Sequence, residues 1–354
     1  MLYILLAILI FGVLIMTHEL GHFLTAKLFG VRVNEFSICM GPAIWKKTVG
    51  ETTYALRCIP IGGYCAMEGE DEESSDPRAF TSAKPWKRAI ILAAGSAMNF
   101  VTGLIVLVLM YSAVAGFSTP KIVDFYPDCP FRSEDGLHVG DELYKIDGQR
   151  VYLYSDVSML MSRNTTGVFD LTVKRDGQLV ELKDFPMEKQ EYRNEDGTVS
   201  YLYGLYFGYE EKTVGSVLKN AWYTALDFVR MVWMSLSDLV KGLVSINDMS
   251  GPVGIVSVIA ETGETSETAA AAAVNIAYLG AFIAVNLAVM NMLPIPALDG
   301  GRIFFLVITW IVEKIIRKKI DPKYEGYIHA AGMVLLLALI AFITLKDIWK
   351  LFAA

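Results

Sequence analysis

Thr17-His18-Glu19-Leu20-Gly21-His22 stands at the inner end of the first apolar run of the chain, Met1 to Met16. Residues four apart share one face of a helix, so on a helix His18 and His22 point the same way. Glu19 lies beside them. The run that leads into these residues carries no charge at all. Ionisable groups at the end of such a stretch are costly unless they do chemistry. Whether that stretch crosses a bilayer decides how the rest of the chain is read.

Its length answers the question. Leu2 to Ala26 is about 25 residues, enough to cross a hydrocarbon core of ~30 Å at ~1.5 Å per residue. The start, Met1-Leu2-Tyr3-Ile4, has no Lys or Arg, and no small-x-small site follows, so a retained span is expected rather than a cleaved signal peptide. The first positive charges are Lys27 and Arg32. Positive charge on the cytoplasmic side places the N-terminus outside and residue 27 onward inside. His18 then sits about 13 Å along the helix from Lys27, below the cytoplasmic surface.

Composition agrees. The chain has 354 residues, 54% of them apolar, and a mean hydropathy of +0.42. Ordinary soluble domains are roughly 45–50% apolar. The excess is uneven, which implies spans plus a soluble part. A net charge of −7 gives no reason to expect nucleic acid as a partner. Cys39, Cys58, Cys65 and Cys129 form no Cys-x-x-Cys pair and suggest neither a disulfide framework nor a zinc knuckle. Histidine is scarce, and two of the four fall in the five residues His18 to His22.

Further along, residues 27 to 88 hold nine Lys or Arg and read as a cytoplasmic loop. Val31 to Phe36 and Thr52 to Arg57 have strand character. Ile59-Pro60-Ile61-Gly62-Gly63-Tyr64 is apolar and glycine-rich enough to dip into the membrane, which irregular backbone does only against protein or a watery cavity. The acidic run Glu68 to Asp76 reads as a solvated loop. A second span is expected over Ala89 to Phe117. Gly95, Ala97 and Gly103 give it a small-residue face for close packing, and Asn99 is a lone polar residue suited to an interhelical hydrogen bond.

Residues 118 to 210 change character. Val168 to Arg175 and Gln178 to Leu182 flank Asp176-Gly177, a strong hairpin signal. Phe169, Leu171 and Val173 alternate as a half-buried strand does. Residues 211 to 272 are amphipathic, with Trp222, Tyr223 and Trp233, as interfacial helices are; packing on the soluble domain is the alternative. A third span, Ala273 to Leu293, runs into Pro294-Ile295-Pro296-Ala297-Leu298-Asp299-Gly300-Gly301. Two prolines and two glycines open the backbone there. Ile303 to Ile316 is an apolar helix ending in a basic cluster, Lys314, Arg317, Lys318, Lys319 and Lys323, suited to anionic head groups. A fourth span, Ile328 to Leu345, returns outward.

His-Glu-x-x-His is the spacing by which helical metalloproteases hold zinc. Catalytic zinc takes three protein ligands and keeps one position open. His18 and His22 supply two. Asp299 is the best third candidate, since it follows a span in irregular backbone on the same side of the bilayer. Its alternative is a loop carboxylate at the membrane surface. Glu19 is placed to act as the base that activates water. Asn291 can donate to substrate or to a developing oxyanion, or merely pack between helices. His138 and His329 are assigned to no metal.

On His18-Glu19-Leu20-Gly21-His22 and on Asn291 through Pro294, Pro296 and Asp299-Gly300, the sequence resembles the site-2 protease family of intramembrane zinc metalloproteases, in its bacterial branch. Lys84-Pro85-Trp86 leading into Gly95 to Asn99, the Ile59 to Tyr64 loop and Ser250-Gly251-Pro252 add to the likeness. Ser96 stands where the family usually has proline. The resemblance implies zinc on His18, His22 and Asp299, and Glu19 as catalytic base. It implies that Gly62-Gly63 belongs to a membrane-reentrant β-hairpin that presents substrate as an added strand. It also implies that 118–210 is a single extracytoplasmic PDZ domain, with Gly136 to Gly148 matching the PDZ pattern. Such a domain would screen substrates by size exclusion or by reading a new C-terminus; the carboxylate-binding loop is not clearly recognisable around Cys129-Pro130, which mildly favours size exclusion.

The expected architecture is therefore a polytopic α-helical membrane protein with four transmembrane spans, a membrane-reentrant β-hairpin and an inserted α+β PDZ domain. Residues 1–117 hold two spans and the hairpin, 118–210 the PDZ domain, 211–272 interfacial helices and 273–354 the last two spans. The expected activity is regulated intramembrane proteolysis of single-pass membrane proteins, such as anti-sigma factors and signal-peptide remnants, in the bacterial cell membrane. A PDZ-bearing adaptor without activity and a zinc transporter are the competing readings.

Overall fold

The computed structural model describes residues 1–70, 74–193, 198–245, 249–317 and 322–353. It divides into two compact units, one of Met1–Leu107 with Phe228–Ala354 and one of Val108–Asp227.

The first unit opens with helix α1, Leu2–Leu28. Strands β1, Val33–Val49, and β2, Thr52–Met67, follow as an antiparallel pair. Helix α2 covers Pro85–Ser112. It begins before the expected Ala89 because proline suits the first helical turn, and it ends before Phe117, which lies in the next strand. Among the described residues, four helices are long and apolar enough to cross a membrane: α1, α2, and the later stretches Ala269–Asn291 and Gly326–Lys350. Leu2, Leu5 and Leu9 remain exposed on α1, as apolar side chains are in a helix made to face lipid.

The hairpin is more folded than two extended strands. Glu35 to Ile38 of β1 have partners on both flanks, Thr53 to Leu56 on one side and Ala66 back to Gly63 on the other. Arg57 binds the layers together: it donates to Ser37 Oγ at 3.0 Å and Tyr64 Oη at 2.6 Å, and pairs with Glu35. Burial alone would raise the Glu35 carboxyl, but the hydrogen bonds from Arg57 and Tyr64 outweigh it and hold it below its ordinary range. Val33, Cys65 and Met67 share a buried cluster with Ala26, Ile91 and Leu92, which fixes the sheet against α1 and α2. Met40, Ile44, Trp45, Leu56 and Ile59 are exposed. The Pro60 and Ile61 side chains lie outside the described residues.

In the second unit, strands β3 (Gly116–Phe125), β4 (Glu142–Ile146) and β5 (Gln149–Arg150) come first. Helix α3 (Tyr154–Arg163) follows, then β6 (Val168–Arg175) and β7 (Gln178–Pro186). Strands β8 (Gln190–Arg193) and β9 (Val199–Leu202) form their own hairpin, and β10 (Leu205–Glu211) closes the unit. The main sheet runs β10-β3-β4-β6-β7, with β5 on β4. Asp176 and Gly177, both at positive φ, turn β6 into β7 as the hairpin signal requires. Phe169, Leu171 and Val173 are buried. Asp141 is fully buried and takes both Arg175 Nε and Nη2 at 2.8 Å, and Arg175 Nη2 also donates to Gly136 O. The Gly136-to-Glu142 run is therefore the seat of a buried ion pair that ties the β3–β4 connection to the end of β6.

Helix α4, Val214–Val240, leads back to the first unit. There α5 (Pro252–Thr265), α6 (Ala269–Asn291), α7 (Asp299–Ile316) and α8 (Pro322–Ala353) complete the chain. Thr268 caps α6 by accepting from Ala271 N. Ile259 of α5 packs with Ala7 and Leu14 of α1 and Ile276, Ile283 and Ala284 of α6. Gly103 of α2 faces Ala281 and Ala284 of α6. Ala97 is exposed and does not share that face, because residues two apart on a helix point to different sides. Of the basic cluster after α7, Lys318, Lys319 and the Lys323 side chain lie outside the described residues, as do Asp71 to Glu73 of the acidic run. The rest of that run is tied down. Glu68 accepts from Asn34 and Ser74, Asp76 pairs with Arg32, and Glu70 pairs with Arg302.

Candidate metal centre

The site begins with α1. His18 and His22 are one turn apart and bring their Nε2 atoms to 3.2 Å. His22 Nδ1 lies 2.8 Å from Ile91 O of α2. That close crossing needs glycine on both helices, because a β-carbon on Gly21 would stand 2.3 Å from Ala94 O, and one on Gly95 would enter the space between the two imidazoles.

Asp299 arrives from the other end of the sequence. Residues Met292 to Leu298 form no regular helix, and Ala297 takes φ +80°. Helix α7 then starts at Asp299 itself, so Gly300 and Gly301 belong to its first turn. The proline–glycine segment opens the backbone only up to Leu298. Glycine is needed at 300 for another reason: a β-carbon there would meet the Met292 carbonyl at 2.3 Å. The first turn of a helix favours a carboxylate through its free N–H groups. Asp299 Oδ2 lies 3.2 Å from His18 Nε2 and 3.4 Å from His22 Nε2. It is buried and accepts no hydrogen bond among the described residues.

Ligand atoms of His18, His22 and Asp299 all lie within 4.8 Å of one another. Two imidazoles and an orphaned carboxylate oxygen around one point are the donor set of a divalent cation. Three such atoms also leave a tetrahedral ion one open position.

Glu19 shares the helix but faces β2. Gly63 stands where its β-carbon would be 3.6 Å from Glu19 Cγ and 3.6 Å from Ile15 Cγ2, and the Cys65 main chain serves the Glu19 carboxylate. The far side of residues 63–67 has no ladder partner among the described residues. Gly62, at φ +81°, packs on Met40. Asn291 is the last residue of α6, and its amide has no hydrogen-bond partner among the described residues.

Two residues carry more than the sequence suggested. His329 of α8 accepts a hydrogen bond from Ala297 N at Nδ1, 3.2 Å away, and so holds the strained residue two positions before Asp299. Asn99 reaches Thr17 and His18. Asn99 showed as a lone polar group in an apolar span; nothing local to His329 marked it. His138 lies in the second unit with Nε2 3.1 Å from the carbonyls of Ser133 and Glu134.

The second unit has a groove of about 540 Å³ between α3 and the edge strand β10. Tyr154, Ser158 and Met161 line one wall, and Gly204, Tyr206 and Phe207 the other.

Two histidines and an aspartate with ligand atoms within 4.8 Å of one another, and a glutamate beside them among apolar helices, are the arrangement of a membrane metallopeptidase. The model of "Peptidase family M50" matches residues 6–339. A Clostridium perfringens protein provisionally named a zinc metalloprotease is 36% identical over 348 residues, 98% of each chain. The regulator of sigma-W protease RasP of Bacillus subtilis is 27% identical over 426 residues, again 98% of each chain. The zinc metalloprotease RasP of Oceanobacillus iheyensis is 28% identical over 430 residues. The chain belongs to peptidase family M50, the site-2 proteases. It is a zinc metalloendopeptidase of that type, with helices suited to a multi-pass place in a bacterial membrane.

Proposed function

We propose that the chain cuts single-pass membrane proteins inside the bilayer, with His18, His22 and Asp299 as its zinc ligands and Glu19 as its base. The observation that carries this is the approach of Asp299 Oδ2 to both Nε2 atoms across 277 to 281 residues of sequence. Zinc, when bound, supplies a Lewis acid and lowers the pKa of its water to about 7. Glu19 takes the proton from the attacking water and gives it to the leaving amine. Asn291, whose amide at the end of α6 has no hydrogen-bond partner among the described residues, donates to the substrate main chain or the developing oxyanion.

A substrate helix hides its peptide groups in its own hydrogen bonds. Once unwound in apolar surroundings, it needs new partners. The side of residues 63–67 that has no ladder partner among the described residues, next to Glu19, offers them by strand addition, as the reentrant-hairpin reading requires. The exposed apolar side chains of the hairpin, Ile44 and Trp45 among them, favour its insertion into lipid. We read residues 118–210 as an extracytoplasmic PDZ domain. Its groove between a helix and an edge strand favours reading of an extended peptide end over size exclusion alone. By the resemblance to the site-2 protease family, the substrates inferred are anti-sigma factors and signal-peptide remnants already trimmed outside the membrane.

An adaptor without activity is disfavoured, because drift would have had no reason to keep three ligands, a base and the glycine between the imidazoles. The test is cleavage of a tagged single-span substrate by purified protein. Glu19→Gln should abolish cleavage while leaving zinc content intact, and a chelator should abolish wild-type cleavage. Equal cleavage by Glu19→Gln would sink the proposal.

A further inference from the structure

We propose that Asn99 holds His18 in the tautomer a metal requires, with its amide turned so that Oδ1 faces His18 Nδ1. This rests on the assignment of His18 as a ligand made above.

Asn99 is 2% exposed, so no bulk water serves its amide. One end of that amide lies 3.2 Å from Thr17 Oγ1, and the other lies 3.5 Å from His18 Nδ1. Thr17 Oγ1 is also 3.1 Å from Leu14 O. As placed, Oδ1 faces Thr17 and Nδ2 faces His18. The two ends have the same shape, so hydrogens must decide which is which. In that placement the Thr17 hydroxyl, with one hydrogen, faces two acceptors. An Asn99 N–H donating to His18 Nδ1 would also force the ring hydrogen onto Nε2. That is the atom 3.2 Å from both His22 Nε2 and Asp299 Oδ2. Protonated there, His18 has no lone pair for a metal.

Half a turn of the amide removes both conflicts. Asn99 Nδ2 then donates to Thr17 Oγ1, Thr17 donates to Leu14 O, and His18 Nδ1–H donates to Asn99 Oδ1. Each contact has one hydrogen, and His18 Nε2 is bare. His22 shows the same arrangement without any choice of amide: Ile91 O can only accept, so His22 Nδ1 carries the hydrogen and, in the neutral ring that a metal binds, its Nε2 is bare as well. Ile91, Gly95 and Asn99 are four apart and form one stripe of α2. The stripe supplies an acceptor for each histidine, with a gap between them where the ion fits. A ligating histidine ordinarily needs such an acceptor on its other nitrogen. Asn99 is thus a positioning residue, acting through His18.

The chain has four histidines, so 15N-histidine NMR of the zinc-free protein in detergent resolves each ring. His18 is assigned by the signals missing from His18→Gln. Hydrogen on Nδ1, held by Asn99, is expected; an Nδ1 without hydrogen overturns the proposal without any variant at 99. Zinc affinity is then read by competition with a chelator. Asn99→Ala should weaken it ~10–100-fold, whereas Asn99→Asp, which keeps an acceptor, should stay within about threefold of wild type. Wild-type affinity in Asn99→Ala, or equal loss in both variants, overturns the role given to the acceptor. His18→Ala separates the two levels: undiminished zinc binding there removes the ligand assignment, and the proposal with it.

Discussion

Gly95 of α2 and His22 of α1 are so close that a β-carbon on Gly95 would stand 2.4 Å from His22 Nε2. The same atom would stand 2.7 and 2.8 Å from His18 Cε1 and Nε2. No rotamer relieves this, because a β-carbon has no freedom. Gly95→Ala should therefore displace both imidazoles and cost at least about tenfold in zinc affinity, with cleavage lost in proportion. Gly103→Ala is the control. It too is tight, at 3.0 Å from Ala281 O on α6, yet its contacts are with α6 rather than with the ligands. It should lower stability and leave zinc affinity unchanged. Equal zinc loss in both variants would mean that helix packing, not the ligand gap, is what Gly95 serves.

Gly63 gives a different separation. Its β-carbon would meet Ser37 O at 3.0 Å and approach Glu19 Cγ, but no metal ligand is within its contacts. Gly63→Val should leave zinc content at wild-type level and lower cleavage by about tenfold or more, because it crowds both the base and the strand offered to substrate. Zinc content by elemental analysis and cleavage of the tagged substrate are measured on the same preparation. Full activity would remove residues 63–67 from substrate contact.

Much of this site was legible before any coordinates, for physical reasons. His18 and His22 obey the helical period, and Asp299 follows an apolar run that, from the distribution of positive charge, is expected to end on the same side of the bilayer. The four apolar helices declare themselves because a bilayer demands uninterrupted apolar length. What sequence hid was contact across elements. Two patches of strand character around 31–57 did not reveal that Glu35 to Ile38 would be flanked on both sides, since register depends on bends that no local pattern encodes. The glycines at 300 and 301 read as helix breakers, yet they sit inside α7 because the chain folds back on Met292. No carboxylate-binding loop was recognisable around Cys129-Pro130, and the groove of the second unit is lined at Gly204 and Phe207 instead, at the other end of the unit in sequence.

The hairpin carries a pH dependence of known sign. Glu35 is held below its ordinary value by Arg57 and Tyr64 despite burial. A carboxyl depressed in the folded state contributes stability that is present above its unfolded value, about 4.3. That contribution is lost as pH falls through the folded value. Hydrogen exchange in residues 33–67, corrected for intrinsic rates, should thus accelerate below about pH 4 in wild type. In Arg57→Met it should be fast already at neutral pH. A wild-type hairpin equally protected at pH 3 and pH 7 would show that the Glu35–Arg57 pair does not hold it.

Asp347 on α8 closes the helical packing in a way that motif reading of Ser250-Gly251-Pro252 did not reveal. Its Oδ2 accepts from Gly251 N at 2.7 Å and Gly254 N at 3.0 Å, and its side chain is buried. The carboxylate thus caps the N-terminus of α5 from another helix, where the free N–H groups and the helix dipole both favour negative charge. Proline at 252 fits the same scheme, since it brings no N–H that would need a partner. The cap also has no room for a longer link, because a β-carbon on Gly254 would stand 2.9 Å from Asp347 Oδ2. Asp347→Ala would leave the buried Gly251 N–H unpaired, at a cost of about 1–3 kcal/mol, and the half-buried Gly254 N–H with it, at a smaller one. Asp347→Asn keeps an acceptor oxygen without the charge and should lose less. Both are read as midpoints of unfolding in mixed micelles of dodecyl maltoside and SDS. The expected order is wild type, then Asn, then Ala, with zinc affinity unchanged because Asp347 touches no ligand. Equal midpoints for all three would show that α5 needs no cap, and an equal drop for Asn and Ala would assign the effect to charge rather than to hydrogen bonding.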